Sequence, residues 1–242
     1  MSIIDRSQHP PAIYPDYKSS LLRGPKQSEI ELSDLYKGSN NSPALETTGA
    51  LLNKFSASEL DRDLTRNATR GGMPLGERIV VSGKVTDQWG KPVRGALIEI
   101  WQANASGRYA HKVDNHDAPL DPNFQGAGHC ITDNDGAYRF YTIKPGAYPW
   151  QNHPNAWRPQ HIHFSVIGNC LGSRLVTQMY FPGDPLLDWD PIFQSVPKPA
   201  APRLISHLDL GITEPDFALG YHFDIALAGS LVTPADDPEQ HR

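Results

Sequence analysis

From Glu77 onward the chain alternates short, β-branched apolar runs with turn residues. "RIVVSGKVTD" and "GALIEIWQA" are the first two runs, and "QWGKPVR" between them places Gly90 and Pro92 at a turn, either a hairpin or a sandwich corner. "CITDNDGAYRFYTI" carries an Asn-Asp-Gly turn in its middle and reads as a hairpin; "QHIHFSVIG", "RLVTQMYF" and "HFDIALAG" follow. Several short strands separated by turns predict a mostly β fold, a β-sandwich of immunoglobulin or transthyretin-like character.

The polar and irregular residues 1–75 read as an N-terminal arm and lead-in, with "SELDRDLT" as one short helical candidate and Ser58 as its N-cap. The sandwich is expected over 76–232. Within it, Pro182 to Pro202 is rich in proline and aspartate and predicts a long loop, and 233–242 predicts an exposed tail.

Composition narrows the function. The 22 prolines and 20 glycines among 242 residues are scattered between apolar runs, which suits many turns rather than a disordered tract. A net charge of -5, with no basic block, argues against nucleic acid as a partner. The first residues meet proline early and no later run has the length of a membrane helix, so a soluble cytoplasmic protein is expected, with no membrane partner. Cys130 and Cys170 form no C-x-x-C pair, and two free thiols are the expectation.

The chemistry-bearing residues concentrate in "AYPWQNHPNAWRPQHIHF". His161 and His163 are two apart, so on a strand both imidazoles share a face and can reach one ion. Alone, His-x-His is a weak signal, better explained by ordinary surface histidines. Two tyrosines sit at rigid strand-flanking positions, Tyr109 in "GRYAH" and Tyr148 in "GAYPW". A phenol ionises near pH 10, so a phenolate at neutral pH needs a strong positive neighbour, of which a trivalent metal is one. Two phenolates and two neutral imidazoles make an oxygen and nitrogen donor set without sulfur, which suits iron(III). "ITDNDGAYRF" has three acids and a glycine but lacks the ligand spacing of a calcium loop, and a turn explains it.

Tyr109, Tyr148, His161 and His163, in this order and with 13 residues from Tyr148 to His161, resemble the four-ligand pattern of the intradiol ring-cleavage dioxygenases. "PDYKSSLLRGPK", "GGMPLGERIVVSGKV", "IEIWQANASGRY", "APLDPNFQGAG" and "TIKPGAYPW" are similar to the iron-bearing β chains of the family's protocatechuate-cleaving members.

The resemblance implies a non-haem Fe(III), one per αβ unit, with Tyr148 and His163 axial and Tyr109, His161 and a hydroxide equatorial. It implies that Tyr148 is a releasable ligand that takes up a catechol proton. Arg158 would stabilise charge on the substrate, Gln178 would lie near the iron, and Trp101, Trp150 and Ile192 would line the pocket. Tyr17, in the arm, would help hold the substrate carboxylate. Implied as well are a homologous α subunit without iron ligands, a higher αβ oligomer, and cleavage of protocatechuate by O2 to 3-carboxy-cis,cis-muconate in the β-ketoadipate pathway.

Plainer readings stand beside each residue: Arg158 as an arginine that only pairs with an acid, Tyr17 as a packing tyrosine, the tryptophans and Ile192 as core. Three other functions compete: a catechol or hydroxyquinol 1,2-dioxygenase with the same ligands, a non-catalytic transthyretin-like carrier, and a zinc hydrolase on His161 and His163. The last lacks a carboxylate at a convincing ligand spacing.

Overall fold

The computed structural model of the chain describes residues 6–11, 13–23, 56–68, 72–168 and 174–236. Two sheets face each other. The first is built on the long strand β1 (Arg78–Thr86), which pairs antiparallel with β4 (Ala137–Ile143) on one edge. On its other edge β1 pairs in parallel with β10 (Leu219–His222) and then β11 (Ile225–Ala226), and β9 (His207–Leu208) pairs with β10. The second sheet runs β3 (Ala127–Ile131), β2 (Leu97–Trp101), β7 (His161–Ile167), β8 (Arg174–Tyr180), antiparallel throughout. A separate two-stranded ribbon joins β5 (Tyr148–Pro149) to β6 (Trp157–Arg158).

The expected sandwich is therefore present, and its core follows from strand alternation. Ile98 and Ile100 of β2, Ile162, Phe164 and Val166 of β7, and Phe140 of β4 are all buried in one cluster. Phe164 meets Phe140 edge-on at 5.8 Å and Phe223 at 5.4 Å between ring centroids, which joins the sheets. Burying a phenylalanine in this way contributes roughly 1.5–3 kcal/mol.

Several local expectations change. β1 and β2 lie in different sheets, so the Gly90 and Pro92 turn is a sandwich corner. The Asn-Asp-Gly turn is real, with Asp133 Oδ1 accepting from the Asp135 and Ala137 amides, but β3 and β4 also belong to different sheets and form no hairpin ladder. "SELDRDLT" is a set of turns rather than a helix. Its backbone is claimed by the sheets instead: His129 donates to Asp61 O, Tyr141 to Arg62 O, and Leu64 to Tyr141 O, while the Leu64 side chain enters the core. Ser58 keeps a capping role toward Asp61.

The loop expected at 182–202 contains a 3-10 helix at Pro185–Asp188 and an α-helix, Pro191–Ser195, with a further 3-10 helix at Ala201–Leu204. Asp184 and Asp190 each cap a helix that opens on proline, a local signal readable from the two Asp-Pro pairs. The tail does not begin at 233. Val232, Thr233 and Ala235 are buried, and Asp236 donates its amide to Val176 O at 2.8 Å along the free edge of β8.

Cys130 is a buried free thiol, pushed up to about 12 by burial, while Cys170 lies outside the described residues. Among the described residues no helix is long and apolar enough to cross a membrane.

Candidate metal centre

The outer face of the second sheet, at the end where β7 begins, carries the candidate residues. Cross-strand register sets Trp101, His163 and Gln178 in one row and His161 opposite Tyr180. The Trp101 indole stacks on the His163 ring, 4.9 Å between centroids and 3° from parallel, which fixes the imidazole plane. Trp101 thus supports His163 directly.

Tyr148 comes from the small ribbon, where it pairs directly with Arg158. Tyr109 comes from the loop after β2, and two glycines allow that loop to touch the segment before Tyr148. A Cβ on Gly107, whose φ is +78°, would fall 2.1 Å from Ala147 O, and one on Gly146 would fall 2.4 Å from Ala105 O. Asn104 organises the loop. Its side-chain oxygen accepts from the Ser106 and Arg108 amides, and its carbonyl accepts from Gly107 and Gly146. The Tyr109 amide is held by Asp114 Oδ2 at 2.7 Å.

These elements bring all four predicted donors together. His161 Nε2 lies 3.2 Å from His163 Nε2 and 3.4 Å from the Tyr148 hydroxyl. The Tyr109 ring meets Tyr148 edge-on at 5.3 Å and lies 6.5 Å from His163 between centroids. His161 Nδ1 donates to Pro159 O at 2.7 Å, which leaves Nε2 as the lone-pair nitrogen facing the cluster. Burial, reinforced by the Arg158 cation, holds His161 well below 6.5 and His163 down to about 3, so both imidazoles are neutral donors at neutral pH.

The Tyr109 hydroxyl is buried without a hydrogen-bond partner. Burial, and then the neighbouring Tyr148, drive its phenol well above 10. An unpartnered buried hydroxyl costs roughly 1–3 kcal/mol, and a hard cation shared with Tyr148 and the two imidazoles would remove that cost by taking the phenolate. Among the described residues no group of three or more His, Cys, Asp or Glu side chains could hold a metal.

Around the donors lies a buried polar network, much of it invisible from sequence. Arg158 is 3% exposed and donates through Nε and Nη2 to both oxygens of Asp190 at 3.0 Å. It also reaches Gln178 Oε1 at 2.6 Å and the Tyr180 hydroxyl at 3.1 Å. Burial is the largest single influence and would lower its pKa, but Asp190 together with Tyr180 and Tyr148 outweighs it and the guanidinium stays charged. The plain ion pair is therefore present, and it fixes a cation whose field reaches His161 and His163. Asp190 also caps the helix that carries Ile192, so one carboxylate places two predicted pocket residues.

The N-terminal arm reaches this region. Asn152, 3% exposed, accepts from the Lys18 amide and donates to Asp16 O, both at 2.8 Å. Tyr17 lies 5.5 Å from the Trp150 ring, and the Arg158 guanidinium stands 5.5 Å from the same ring. The Trp150 indole nitrogen is buried without a partner. Sequence reading missed Asn104, Asn152, Tyr180, Asp190 and Asp236; only Asp190, before proline, and Asn104, in "NASG", carried a local signal.

A sandwich with two phenols and two imidazoles converging at one end defines a class, and comparison with known proteins agrees. Residues 50–229 match the dioxygenase family model, and residues 5–31 match the model for the N-terminal region of the protocatechuate 3,4-dioxygenase beta subunit. The chain belongs to the intradiol dioxygenase family.

Within it, the chain is 58% identical over 232 residues to the protocatechuate 3,4-dioxygenase beta chain of Burkholderia cepacia, covering 96% of this chain and 95% of that one. Catechol 1,2-dioxygenase of Candida albicans is 36% identical over 50% of this chain and 42% of its own. Among solved structures, 3-chlorocatechol 1,2-dioxygenase from Rhodococcus opacus 1CP is similar at a TM-score of 0.53 and 25% identity, over 69% of this chain and 64% of that one. Catechol 1,2-dioxygenase from Acinetobacter sp. ADP1 gives 0.51 at 27% identity, over 69% and 58%.

Proposed function

We propose that this chain is the iron-bearing, β-type chain of an αβ enzyme that cleaves protocatechuate by O2 between its two hydroxylated carbons, giving 3-carboxy-cis,cis-muconate. The observation that carries the site assignment is the convergence of Tyr109, Tyr148, His161 and His163 on one buried spot, with the Tyr109 hydroxyl unpartnered. The similarity to the Burkholderia cepacia beta chain over nearly the whole length supports the substrate. The match of residues 5–31 favours protocatechuate over unsubstituted catechol.

Tyr109, Tyr148, His161 and His163 would hold one Fe(III) per αβ unit. When bound, the ion supplies Lewis-acid activation of the catechol and a template on which the two oxygens are aligned. Tyr148 Oη, on the half-buried ribbon strand, is the base that receives a catechol proton. Arg158, locked by Asp190 and paired with Tyr148 across the ribbon, presents a fixed cation to the negative charge that develops on the ring. Trp150 and Tyr17 pack together on the side of the arm, where Tyr17 would meet the substrate carboxylate, and Trp101, Ile192 and Gln178 would line the pocket with them. The arm would contribute to this pocket through Tyr17 and would take part in the contact with a homologous α subunit that lacks the ligands, in a higher αβ oligomer.

The test is the visible spectrum of the protein purified with its α partner, before and after anaerobic protocatechuate, followed by turnover of protocatechuate and catechol. A broad phenolate-to-iron band that shifts on substrate addition, with protocatechuate preferred, is expected. A colourless, iron-free protein that stays inactive when iron and the α partner are supplied would overturn the reading. Equal or better turnover of catechol would move it to the 1,2-dioxygenases.

A further inference from the structure

The two imidazoles are held differently. His161 Nδ1 is anchored on Pro159 O at 2.7 Å, whereas His163 Nδ1 is buried with no hydrogen-bond partner. A carboxylate oxygen faces it just beyond hydrogen-bond length: Asp236 Oδ2 lies 3.7 Å from His163 Nδ1. The other oxygen, Asp236 Oδ1, accepts from Gln178 Nε2, and Gln178 is the residue opposite His163 on β8. The carboxylate is thus turned so that one oxygen is fixed by Gln178 and the second is aimed at the imidazole.

The segment that delivers it is anchored by its backbone. Asp236 donates its amide to Val176 O at 2.8 Å, Thr177 Oγ1 donates to Pro234 O at 2.7 Å, and the Ala235 amide donates to Nδ1 of the buried His9 at 3.1 Å. Ala235 itself sits in the core. Residues 233–236 lie outside the part of the chain matched by the family model, which ends at 229.

We propose that Asp236 is a positioning residue for the iron site: in the iron-loaded protein it is the acceptor for His163 Nδ1–H, which commits His163 Nε2 to the metal and makes the imidazole a stronger donor. The C-terminal segment is then part of the site's support, and through His9 the N-terminal arm secures it. A carboxylate behind a metal-bound histidine fixes ring orientation and tautomer, and losing such a partner weakens metal binding about 10- to 100-fold. The inference rests on the iron reading above.

The test compares Asp236→Asn and Asp236→Glu with the parent, each purified with the α partner. Iron retained during dialysis against graded concentrations of a ferric chelator is measured, together with the phenolate-to-iron band and the unfolding temperature. Asn can keep its oxygen on Gln178 only by turning its amide hydrogens toward His163 Nδ1–H, so two donors meet. Expected is about 10- to 100-fold weaker iron retention and a displaced band in Asp236→Asn. Partial recovery in Asp236→Glu and an unfolding temperature of the iron-free protein close to the parent are expected with it.

Parent-like iron retention and an unshifted band in Asp236→Asn would overturn the assignment while leaving the iron reading intact; a parent without iron would instead remove the iron reading. Should Asp236→Asn not fold, His9→Ala carries the test, because it withdraws the acceptor of Ala235 without touching the carboxylate. Faster iron loss than the parent supports the proposal, and parent-like retention overturns it.

Discussion

The second sheet has two buried faces built on opposite principles. Its inner face, Ile98, Ile100, Ile162, Phe164 and Val166, meets the first sheet as a dry apolar layer. Its outer face, Trp101, His161, His163, Gln178 and Tyr180, is covered by loops, the small ribbon, the N-terminal arm and the segment 233–236. One strand, β7, serves both by alternation, with histidines outward and Ile162 and Phe164 inward. A sheet can cover only apolar side chains well, because its own backbone polar groups are spent on neighbouring strands. Loops bring spare carbonyls, amides and carboxylates, so polar groups can be buried beneath them and still be satisfied. Pro159 O on His161 and Asp190 on Arg158 are two instances.

The sharpest break between the faces comes from His163→Ala. It should abolish iron binding and measurable turnover while leaving the inner layer folded, as read by iron content, activity and circular dichroism. Phe164→Ala strikes the other side of the same strand and should cost about 3–5 kcal/mol in chemical denaturation. Asp190→Ala tests whether the outer face is as costly to disturb. It leaves the Arg158 cation buried without its partner, and a loss of about 3–5 kcal/mol is expected, together with reduced turnover.

A smaller effect separates the faces by pH. In the chain stripped of metal, His163 titrates at about 3 and His161 also well below 6.5. The unfolded chain binds those protons once the pH falls below about 6.5, so stability declines from there toward pH 3. Roughly 2 kcal/mol should be lost through His163 between pH 7 and pH 5 in urea titrations, with a further loss in the same direction through His161. Replacing both histidines should flatten that slope; Phe164→Ala should leave it unchanged. The smallest change is Trp101→Leu, which removes the stack on His163 for about 1 kcal/mol and should shift the phenolate-to-iron band without removing it.

Turn residues and short apolar runs in the sequence announced the sandwich, and strand alternation placed His161 and His163 on one face of β7, because a period of two is a local property of an extended backbone. The spacing of Tyr109, Tyr148, His161 and His163, with its family resemblance, nominated the donors. Tertiary structure decided the rest. Only folding could turn "SELDRDLT" from a helix candidate into a strap, since hydrogen bonds from His129 and Tyr141 outbid its own helical ones. Only folding could carry the supposed tail to the edge of β8 and set Asp236 behind His163, across 73 residues of chain. Asn152, Tyr180 and Asp190 likewise acquire their roles from partners distant in sequence. Local pattern records what a residue's own backbone prefers; a buried polar network depends on what arrives beside it.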